Sequence, residues 1–455
     1  MTFNRRFLVS TGLALGAILP TAAAAAGPRT KEAAAGVTDT GSVVPNSGSD
    51  QSKALQAAID RAAERGTILT LAPGRYLVQG LKLRAGSHIR GTPGRTILAH
   101  AAPGTLITGE LADRARLEGL VIEGGAHALT SGDHAGLVAL HRSRGVVLAD
   151  LELRGSRANG IVLTGCSGSI RDCDIRGSAQ GGIVSVDAVG LEIVNNTVAD
   201  CANNGILVWR TTAGEDGTIV ANNRIERIRA EAGGSGQNGN GVNVYRAGSV
   251  LVTGNRIADC AYSAIRGNAA SNIQMTGNSC ARLGEVALYA EFGFEGALIA
   301  SNIVDGAATG ISVTNFNEGG RLAVVQGNLI RNLVRREHEP EDKRGEGIAV
   351  EADTVVTGNT IENAATVGIS IGWGHYMREV VATSNVIRKC RTGIMITRDP
   401  GAGAALIAQN MISGTRDGAI RAMDKGVAIG PELVRGGTQS ARITITGNVG
   451  VEAGA

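Results

Sequence analysis

The sequence predicts an all-β protein, a right-handed parallel β-helix solenoid with a short capping α-helix near its N-terminus. Three observations support this fold class. A phrase of the form V-T-G-N-x-I recurs, as at Val252–Ile257 and Val356–Ile361. Apolar and variable residues alternate with a period of two within each repeat. Gly supplies 66 of the 455 residues without a G-X-Y period, which suits tight corners between short strands rather than collagen.

The first 26 residues have the anatomy of a cleaved export signal, with a charged start, an apolar stretch and a small-residue end. Arg5 and Arg6, followed by Phe7 and Leu8, favour a twin-arginine (Tat) signal, which exports folded proteins. An ordinary Sec signal or an uncleaved anchor is the alternative, but the apolar stretch is shorter than the ~20 residues of a membrane helix. We therefore expect the Tat export machinery as a partner, no stable membrane anchor, and a periplasmic or secreted protein. The nearly balanced net charge of +3 predicts no nucleic-acid partner.

The remainder divides into a linker at 27–48, an N-terminal cap at 49–110 and β-helix repeats at 111–450. In the cap, the residues from Ser49 to Gly66 predict a helix, with Ser49 or Asp50 as the N-cap and Gly66 as the stop. Its apolar positions share one face: Leu55, Ala58, Ile59 and Ala62. We expect this single amphipathic helix to cover the open edge of the first coil of the solenoid.

The repeats are marked by an asparagine at the same place in each unit. These residues are Asn196, Asn223, Asn255, Asn278, Asn302, Asn328, Asn359, Asn385, Asn410 and Asn448, and intervals of 23 to 32 residues separate the first nine. A two-strand unit of this size cannot bury its apolar face alone, so the units must stack as coils. Leucine-rich repeats share the length but need a helical pattern that is missing. Stacking at ~4.8 Å would let the asparagines hydrogen-bond along a bend as a ladder.

The cap and the repeats together resemble a known superfamily. The pattern D-x-S-x-A-L-Q-A-A-I-D, then L-A-P-G-R-Y-L-V, then N-x-I coils, is similar to the pectate-lyase-like right-handed parallel β-helix proteins. That superfamily includes polysaccharide lyases, polygalacturonase-type hydrolases, alginate C5-epimerases and phage tailspikes. With its twin-arginine leader, the chain also resembles a group of Tat-exported bacterial β-helix repeat proteins. The resemblance covers about residues 38 to 448 and implies the fold more specifically than any chemistry.

The cysteine pattern does not indicate a disulfide framework. Cys201, Cys260 and Cys390 each follow the asparagine of their coil by five residues. A complete coil separates the first two, which places them ~9.6 Å apart, beyond the ~7 Å Cα limit for a bridge. We interpret them as core residues interchangeable with Ile, and leave open a bond between Cys166 and Cys173. No spacing typical of a zinc site occurs, so no metal is predicted and the cofactor stays unknown.

The catalytic motifs of the resembled families are not matched. The Asp cluster by which pectate lyases hold calcium is missing, as is the Asp pair of the inverting hydrolases. The segment Gly372–Tyr376 only approximates the hydrolases' G-H-G, and His338–Asp342 has the letters of the epimerases' D-P-H-[ED] in another order. None of these activities is carried over from the resemblance.

The candidate site is the outward face of the second strand in each repeat. One outward column is predicted to run Trp209, Tyr245, Asn268, Tyr289, Thr314 and Glu351, with further candidates at Asn243, Arg246, Arg266, Glu291, Phe316 and Asn317. Aromatic faces beside Arg, Asn and carboxylate suit a sugar ring and its hydroxyl or uronate groups. The alternative is a surface stripe covered by loops, a helix or another subunit.

Two insertions strengthen the prediction of a groove. Arg227–Gly241 and Leu333–Gly347 lengthen the same bridge in two different coils, so both should project from one edge of the solenoid. Four coil steps separate them, ~19 Å at the strand spacing. This distance matches a short oligosaccharide, although both segments can also be simple surface excursions.

Two functions follow from this pattern. The first is an enzyme acting on a poly- or oligosaccharide, expected to contain uronate, by elimination, epimerisation or hydrolysis. Arg266 or Arg246 would neutralise the carboxylate, and Tyr245 or Tyr289 would exchange the proton. Glu291 would orient the substrate or act as acid or base. The remaining candidates, Trp209, Asn243, Arg246, Asn268, Phe316 and Asn317, would bind substrate. The second function is a non-catalytic carbohydrate-binding or envelope scaffold protein that uses the same groove.

Overall fold

The computed structural model describes residues 40–129, 135–234, 236–314, 319–336, 345–434 and 442–452. The predicted leader, most of the linker, Phe316, Asn317 and residues 337–344 of the second insertion lie outside these ranges. The described chain forms three sheets of 15 strands each, in which every third strand along the chain joins the same sheet in parallel, except for an antiparallel hairpin at the end of the third sheet. The fold is the predicted right-handed parallel β-helix.

The first sheet precedes the asparagine bend in every coil. Most of its residues alternate between the core and the outer surface, as Leu191 and Ile193 are buried while Glu192 between them is exposed. Its strands are Leu69–Thr70, His88–Arg90, Arg116–Glu118, Val146–Ala149, Gly168–Arg171, Leu191–Val194, Ile219–Ala221, Leu251–Thr253, Ile273–Thr276, Glu295–Ala300, Arg321–Gln326, Ala352–Thr357, Arg378–Thr383, Ala405–Ala408 and Ile443–Thr446.

The second sheet follows the asparagine bend, and its strands present one or two apolar residues each to the core, such as Ile225 and Ile228 in one strand. Cys260 lies in register with Ile228 of the neighbouring coil, which confirms that cysteine and isoleucine are interchangeable at this position. Its strands are Gly74–Val78, Thr96–His100, Val121–Glu123, Glu152–Arg154, Asp174–Arg176, Thr197–Ala199, Arg224–Ile228, Arg256–Cys260, Ser279–Ala281, Ile303–Ala307, Leu329–Leu333, Thr360–Ala364, Val386–Arg388, Met411–Thr415 and Val449–Glu452.

The third sheet carries the candidate site on its outer face. All its strands pair in parallel except the last, which forms an antiparallel hairpin with its predecessor. Its strands are Leu81–Leu83, Ile107–Glu110, Gly136–His141, Asn159–Thr164, Gly181–Val186, Asn204–Glu215, Asn240–Gly248, Ile265–Asn268, Val286–Glu291, Thr309–Thr314, Glu346–Val350, Val367–Ile371, Thr392–Thr397, Ile420–Asp424 and Val427–Glu432. A short 3₁₀ helix, Gly374–Tyr376, follows one of them.

The predicted helix is present as Ser52–Arg65 and buries the predicted face: Leu55, Ala58, Ile59 and Ala62. The N-cap is Gln51 rather than the predicted Ser49 or Asp50, and Gly66 ends the helix in the left-handed conformation as predicted. The Asp50 carboxylate still accepts a hydrogen bond from the backbone N–H of Ser52 (2.8 Å). Gln56 exchanges hydrogen bonds of 3.0 Å and 2.7 Å with the backbone of Lys82, in the first strand of the third sheet. The helix therefore satisfies polar groups at the open edge of the solenoid as well as covering its core.

The asparagine ladder is confirmed from Asn196 to Asn448. At each step the side-chain Nδ2 and the backbone N–H of one asparagine both donate to Oδ1 of the next, as from Asn278 to Asn302 (3.0 Å and 2.9 Å). The ladder residues before Asn448 are at most about one percent exposed. Because these amides satisfy one another inside the bend, the polar repeat is compatible with a buried position.

Six cysteines are unpaired and buried in the described chain, including Cys166 and Cys173. None of the described helices is long and apolar enough to span a membrane.

Candidate functional site

The outer face of the third sheet has two side-chain columns two residues apart. In one column Asn243 is in register with Arg266, and Arg266 with Tyr289. The other column contains Trp209, Tyr245, Asn268, Glu291 and Thr314 in consecutive coils. The prediction that Tyr289 shares a column with Tyr245 and Asn268 is therefore wrong by two residues. The shift leaves Tyr289 facing outward, because the side-chain period of a strand is also two.

Three predicted catalytic residues lie in direct contact. The Arg266 guanidinium donates to Glu291 Oε1 through Nε and Nη2, both at 2.6 Å. Asn268 Nδ2 donates to the same oxygen at 2.8 Å. The Arg266 Cζ atom lies 5.3 Å from the centre of the Tyr289 ring, close enough for a cation–π interaction. We call Arg266, Asn268, Tyr289 and Glu291 the Arg266 cluster.

The Arg266 cluster is largely buried, whereas the sequence predicts it on an open surface. Arg266 is 8% exposed and Glu291 3% exposed. Gly236, in the first insertion, lies directly over Arg266, since a Cβ atom at Gly236 would come 1.4 Å from Arg266 Nη1. Asn243, another predicted site residue, is also buried and donates to the carbonyl oxygen of Gln237 (3.2 Å). The first insertion thus folds onto the predicted site.

Burial leaves one hydrogen-bond donor of the Arg266 cluster without a partner and shifts the pKa of Tyr289. Arg266 Nη1 is buried without a hydrogen-bond partner in the described chain. Burial, together with the nearby Glu291 carboxylate, raises the pKa of the Tyr289 phenol. Tyr289 is therefore protonated at neutral pH and can donate a proton or a hydrogen bond, whereas it is poorly suited to act as a base.

Tyr245, the fourth predicted catalytic residue, belongs to a separate aromatic group. Its ring makes an edge contact with Trp209 at a centroid distance of 6.3 Å. The Arg246 Cζ atom lies 4.8 Å from the centre of the Tyr245 ring. Asn268 follows Tyr245 in the same column and so connects this group with the Arg266 cluster.

A cleft of about 880 Å³ opens on the N-terminal side of the first insertion. The sequence instead predicts a groove between the two insertions. Of the predicted site residues only Trp209 lines this cleft, and its indole Nε1 is buried without a hydrogen-bond partner in the described chain. The lining residues are Ala126, Ala128, Leu129, Ala135, Arg157, Ala158, Asn159, Ala179, Gln180, Gly181, Val184, Asn203, Asn204, Leu207, Trp209 and Asn238.

The cleft combines an apolar floor with amide side chains. Val184 and Leu207 belong to an outward-facing apolar cluster against which Trp209 packs. Among the amides, Asn203 Nδ2 donates to Gln180 Oε1 of the neighbouring coil at 2.6 Å. Asn204 Nδ2 donates to the carbonyl oxygen of Gln237 at 3.1 Å. These contacts between coils hold the amides in fixed positions along the cleft.

Arg157 is the one cation among the described lining residues, and none of them is a carboxylate. Its side chain is exposed and makes no ion pair or side-chain hydrogen bond with the described residues. By contrast, Arg266 already binds Glu291. The described chain also contains no group of three or more His, Cys, Asp or Glu residues placed to hold a metal ion.

The amides of the cleft are functional candidates that the sequence reasoning missed, although the sequence carries a signal for them. Asn159, Asn204 and Asn240 each precede a Gly and an Ile or Val at the start of a third-sheet strand. Asn204 and Asn240 are in register, and Asn240 Nδ2 donates to Asn204 Oδ1 at 3.3 Å. This N-G-[IV] repeat is a second, shorter asparagine column beside the cleft.

Solved structures similar to this chain include three proteins from phages and bacteria. The pre-mature gene product 12 of bacteriophage phi29 is 12% identical, with a TM-score of 0.48, over 89% of this chain and 71% of that chain. PfbA, a surface adhesin of Streptococcus pneumoniae, is 14% identical, with a TM-score of 0.44, over 84% of this chain and 90% of its own. The catalytic unit of a GH87 alpha-1,3-glucanase from Streptomyces thermodiastaticus is 15% identical, with a TM-score of 0.45, over 90% of this chain and 67% of its own. No curated protein matches the sequence.

A protein-family model identifies the family to which the chain belongs. The model described as the right handed beta helix region matches residues 135–233, 159–330 and 211–377. These overlapping matches together span more than half of the 455 residues. They cover the coils that carry the cleft, the aromatic group and the Arg266 cluster. The chain belongs to the right-handed β-helix family.

Proposed function

We propose that this protein binds a polysaccharide in the cleft of its third sheet. The observation that carries the proposal is the lining, in which fixed amides and Trp209 surround an apolar floor. Amide groups match the hydroxyl groups of a sugar, and an apolar or aromatic surface matches the C–H face of its ring. Trp209 lines the cleft and packs against its apolar floor, so its ring supplies the aromatic part of this surface.

Arg157 favours a polysaccharide that contains uronate. A carboxylate on the ligand would find an exposed guanidinium in the cleft that the described protein residues leave unpaired. A guanidinium binds a carboxylate through two parallel hydrogen bonds, which gives both affinity and orientation. Arg266, the cation predicted for this role from the sequence, is less suitable because Glu291 already neutralises it.

The leader supports a proposal about location, with Tat export to the periplasm or beyond. Arg5 and Arg6 carry this proposal. Replacing both with lysine should retain the protein in the cytoplasm, whereas export that continues through the Sec route would contradict it. Cell fractionation with an antibody against the protein measures the difference.

Glycan binding is tested with alginate and polygalacturonate as uronate polymers and pullulan as a neutral polymer. Arg157→Gln should weaken binding of the uronate polymers about tenfold or more and leave any binding of pullulan unchanged. Trp209→Ala should weaken binding of every polymer that the wild type binds. Arg144→Gln is the matched control, because Arg144 is exposed and lies outside the cleft lining. Calorimetry in which the wild type binds none of the polymers, or in which both arginine variants behave alike, would contradict the proposal.

A second candidate is catalytic turnover at the Arg266 cluster. It is favoured by the protonated Tyr289 phenol beside the Arg266–Glu291 ion pair, an arrangement that offers a proton donor next to a carboxylate to a ligand that displaces Gly236 from Arg266. Tyr289→Phe removes only the hydroxyl group and should abolish any release of unsaturated products, reducing ends or changed isomers. Binding without such products across the same polymers would instead assign a non-catalytic role.

A further inference from the structure

An aliphatic column runs along the exposed face of the second sheet in the C-terminal half of the solenoid. Register pairs connect its residues from coil to coil, with only Thr360 interrupting. Its large side chains are between 37% and 48% exposed: Ile303, Leu329, Val386, Met411 and Val449. At the equivalent position the earlier coils have Arg224, Arg256 and Ser279. The change from polar to aliphatic residues is thus confined to one half of the molecule.

A second aliphatic column lies on the first sheet, on the other side of the asparagine bend. Its residues are in register through five consecutive coils: Leu298, Val324, Val355, Val381 and Leu406. Val355 is 37% exposed and Leu406 36% exposed, and the other three are half-buried. We call the two columns together the aliphatic face.

Most charges beside the aliphatic face are already paired within the chain, whereas the exposed Glu379 makes no ion pair with the described residues. On the second sheet, Arg331 binds Asp305 at 2.8 Å and Arg388 binds Glu362 at 2.6 Å. On the first sheet, Arg378 binds Asp353 at 2.7 Å, and Arg321 binds Glu295. Each pair joins two neighbouring coils. The rim therefore presents alternating, largely neutralised charge rather than a field of one sign.

We infer that the aliphatic face is a self-association surface on which two copies of this chain pair about a two-fold axis. A glycan is a poor match, because both columns lack the aromatic rings on which sugars stack. A basic or acidic partner would find no unpaired charge of the opposite sign in the flanking ion pairs. A second copy presents the same neutral aliphatic rows at the same ~4.8 Å spacing, so the rows of one copy fit between those of the other in a self-complementary contact.

The size of the face sets the strength of the association. Five coil steps give a length of about 24 Å, and the distance across the bend gives a width of about 15 Å, or about 400 Å² per copy. A stable interface buries about 800 Å² per partner. Because the face is about half that size, the pairing is a reversible monomer–dimer equilibrium. It leaves the proposed cleft open in both copies, because the cleft lies on the third sheet.

Sedimentation velocity over a broad range of concentrations tests this inference. The wild type should convert from monomer to dimer as its concentration rises, and Leu329→Glu and Met411→Glu should each weaken the dimer at least about tenfold. Val189→Glu is the matched control, because Val189 is 70% exposed and lies outside the aliphatic face. Thermal melting at low concentration, where all variants are monomeric, should give similar midpoints because each replaced side chain is exposed.

A cross-link provides an independent measurement that does not depend on weakening the dimer. Thr360→Cys places a thiol near the middle of the second-sheet column, where mild oxidation should join two copies, and Val189→Cys should not cross-link above background. A wild type that stays monomeric at every concentration would overturn the inference. So would a dimer that is equally sensitive to Val189→Glu and Met411→Glu.

Discussion

Each ladder asparagine uses both atoms of its side-chain amide inside the bend. Oδ1 of Asn302 accepts from the backbone N–H and Nδ2 of Asn278. Its Nδ2 donates to the carbonyl oxygen of Met275 at 2.8 Å and to Oδ1 of Asn328 at 3.0 Å. Carboxylate, hydroxyl or apolar side chains of this size cannot supply the same donors and acceptors. The repeat of one residue type therefore follows from hydrogen-bond chemistry rather than from volume.

Asn302→Ala should lower the free energy of unfolding by about 3 kcal/mol or more, because it leaves buried donors of Asn278 and the buried carbonyl oxygen of Met275 unsatisfied. Urea denaturation followed by circular dichroism measures the change. Gln326→Ala, at an exposed position one coil away, should change the stability by less than about 0.5 kcal/mol. If the two substitutions changed the free energy of unfolding equally, the ladder would not contribute to stability.

At the scale of strands, the side-chain alternation predicts which residues face outward but leaves the register uncertain by two residues. The sequence predicts Asn268 and Tyr289 in one column, whereas Asn268 pairs with Glu291 and Arg266 with Tyr289. A shift of two residues preserves the inward and outward pattern, so hydrophobic periodicity cannot detect it. The ladder could have done so, since Arg266 and Tyr289 each follow the asparagine of their own coil by 11 residues.

The insertions were the least predictable elements. Their position in the bridge between the second and third sheets follows from the repeat spacing and agrees with the strand order. The path of the first insertion does not follow, because a Gly-rich segment carries no periodic pattern that relates it to a surface. Gly236 lies over Arg266, and this contact turns a predicted open site into a buried ion pair. Asn238, in the same insertion, lines the neighbouring cleft.

The N-terminal helix should protect the first coils in particular. Leu55→Asp places a charge where the side chain is fully buried and should detach the helix, at a cost of several kcal/mol. In a solenoid each coil contacts only its neighbours, so amide hydrogen exchange should rise sharply in the strands up to about residue 110 and little beyond residue 300. Ala57→Asp, on the exposed face of the same helix, is the control. Uniform acceleration along the whole chain in Leu55→Asp would contradict local capping.

Across the whole molecule, the same packing of one coil on the next is repeated through 15 strands per sheet. A short repeated sequence motif is therefore enough to predict the fold. The same repetition places the cysteines in an apolar interior, where none of them forms a disulfide. Burial raises the pKa of Cys173, Cys201 and Cys280 to about 12 and that of Cys390 to about 11. In the unfolded chain a thiol has a pKa of about 8.5.

The folded protein therefore holds more protons than the unfolded chain between about pH 8.5 and pH 11, so its free energy of unfolding should fall as the pH rises through this range. Denaturant titrations at several pH values measure the slope. A variant with all six cysteines changed to alanine should have a shallower slope, which separates the thiols from lysine and tyrosine. Native protein at pH 8 should also resist alkylation by iodoacetamide until it is unfolded. Rapid labelling of the folded chain, or identical slopes for the two proteins, would show that the thiols are not held neutral by the core.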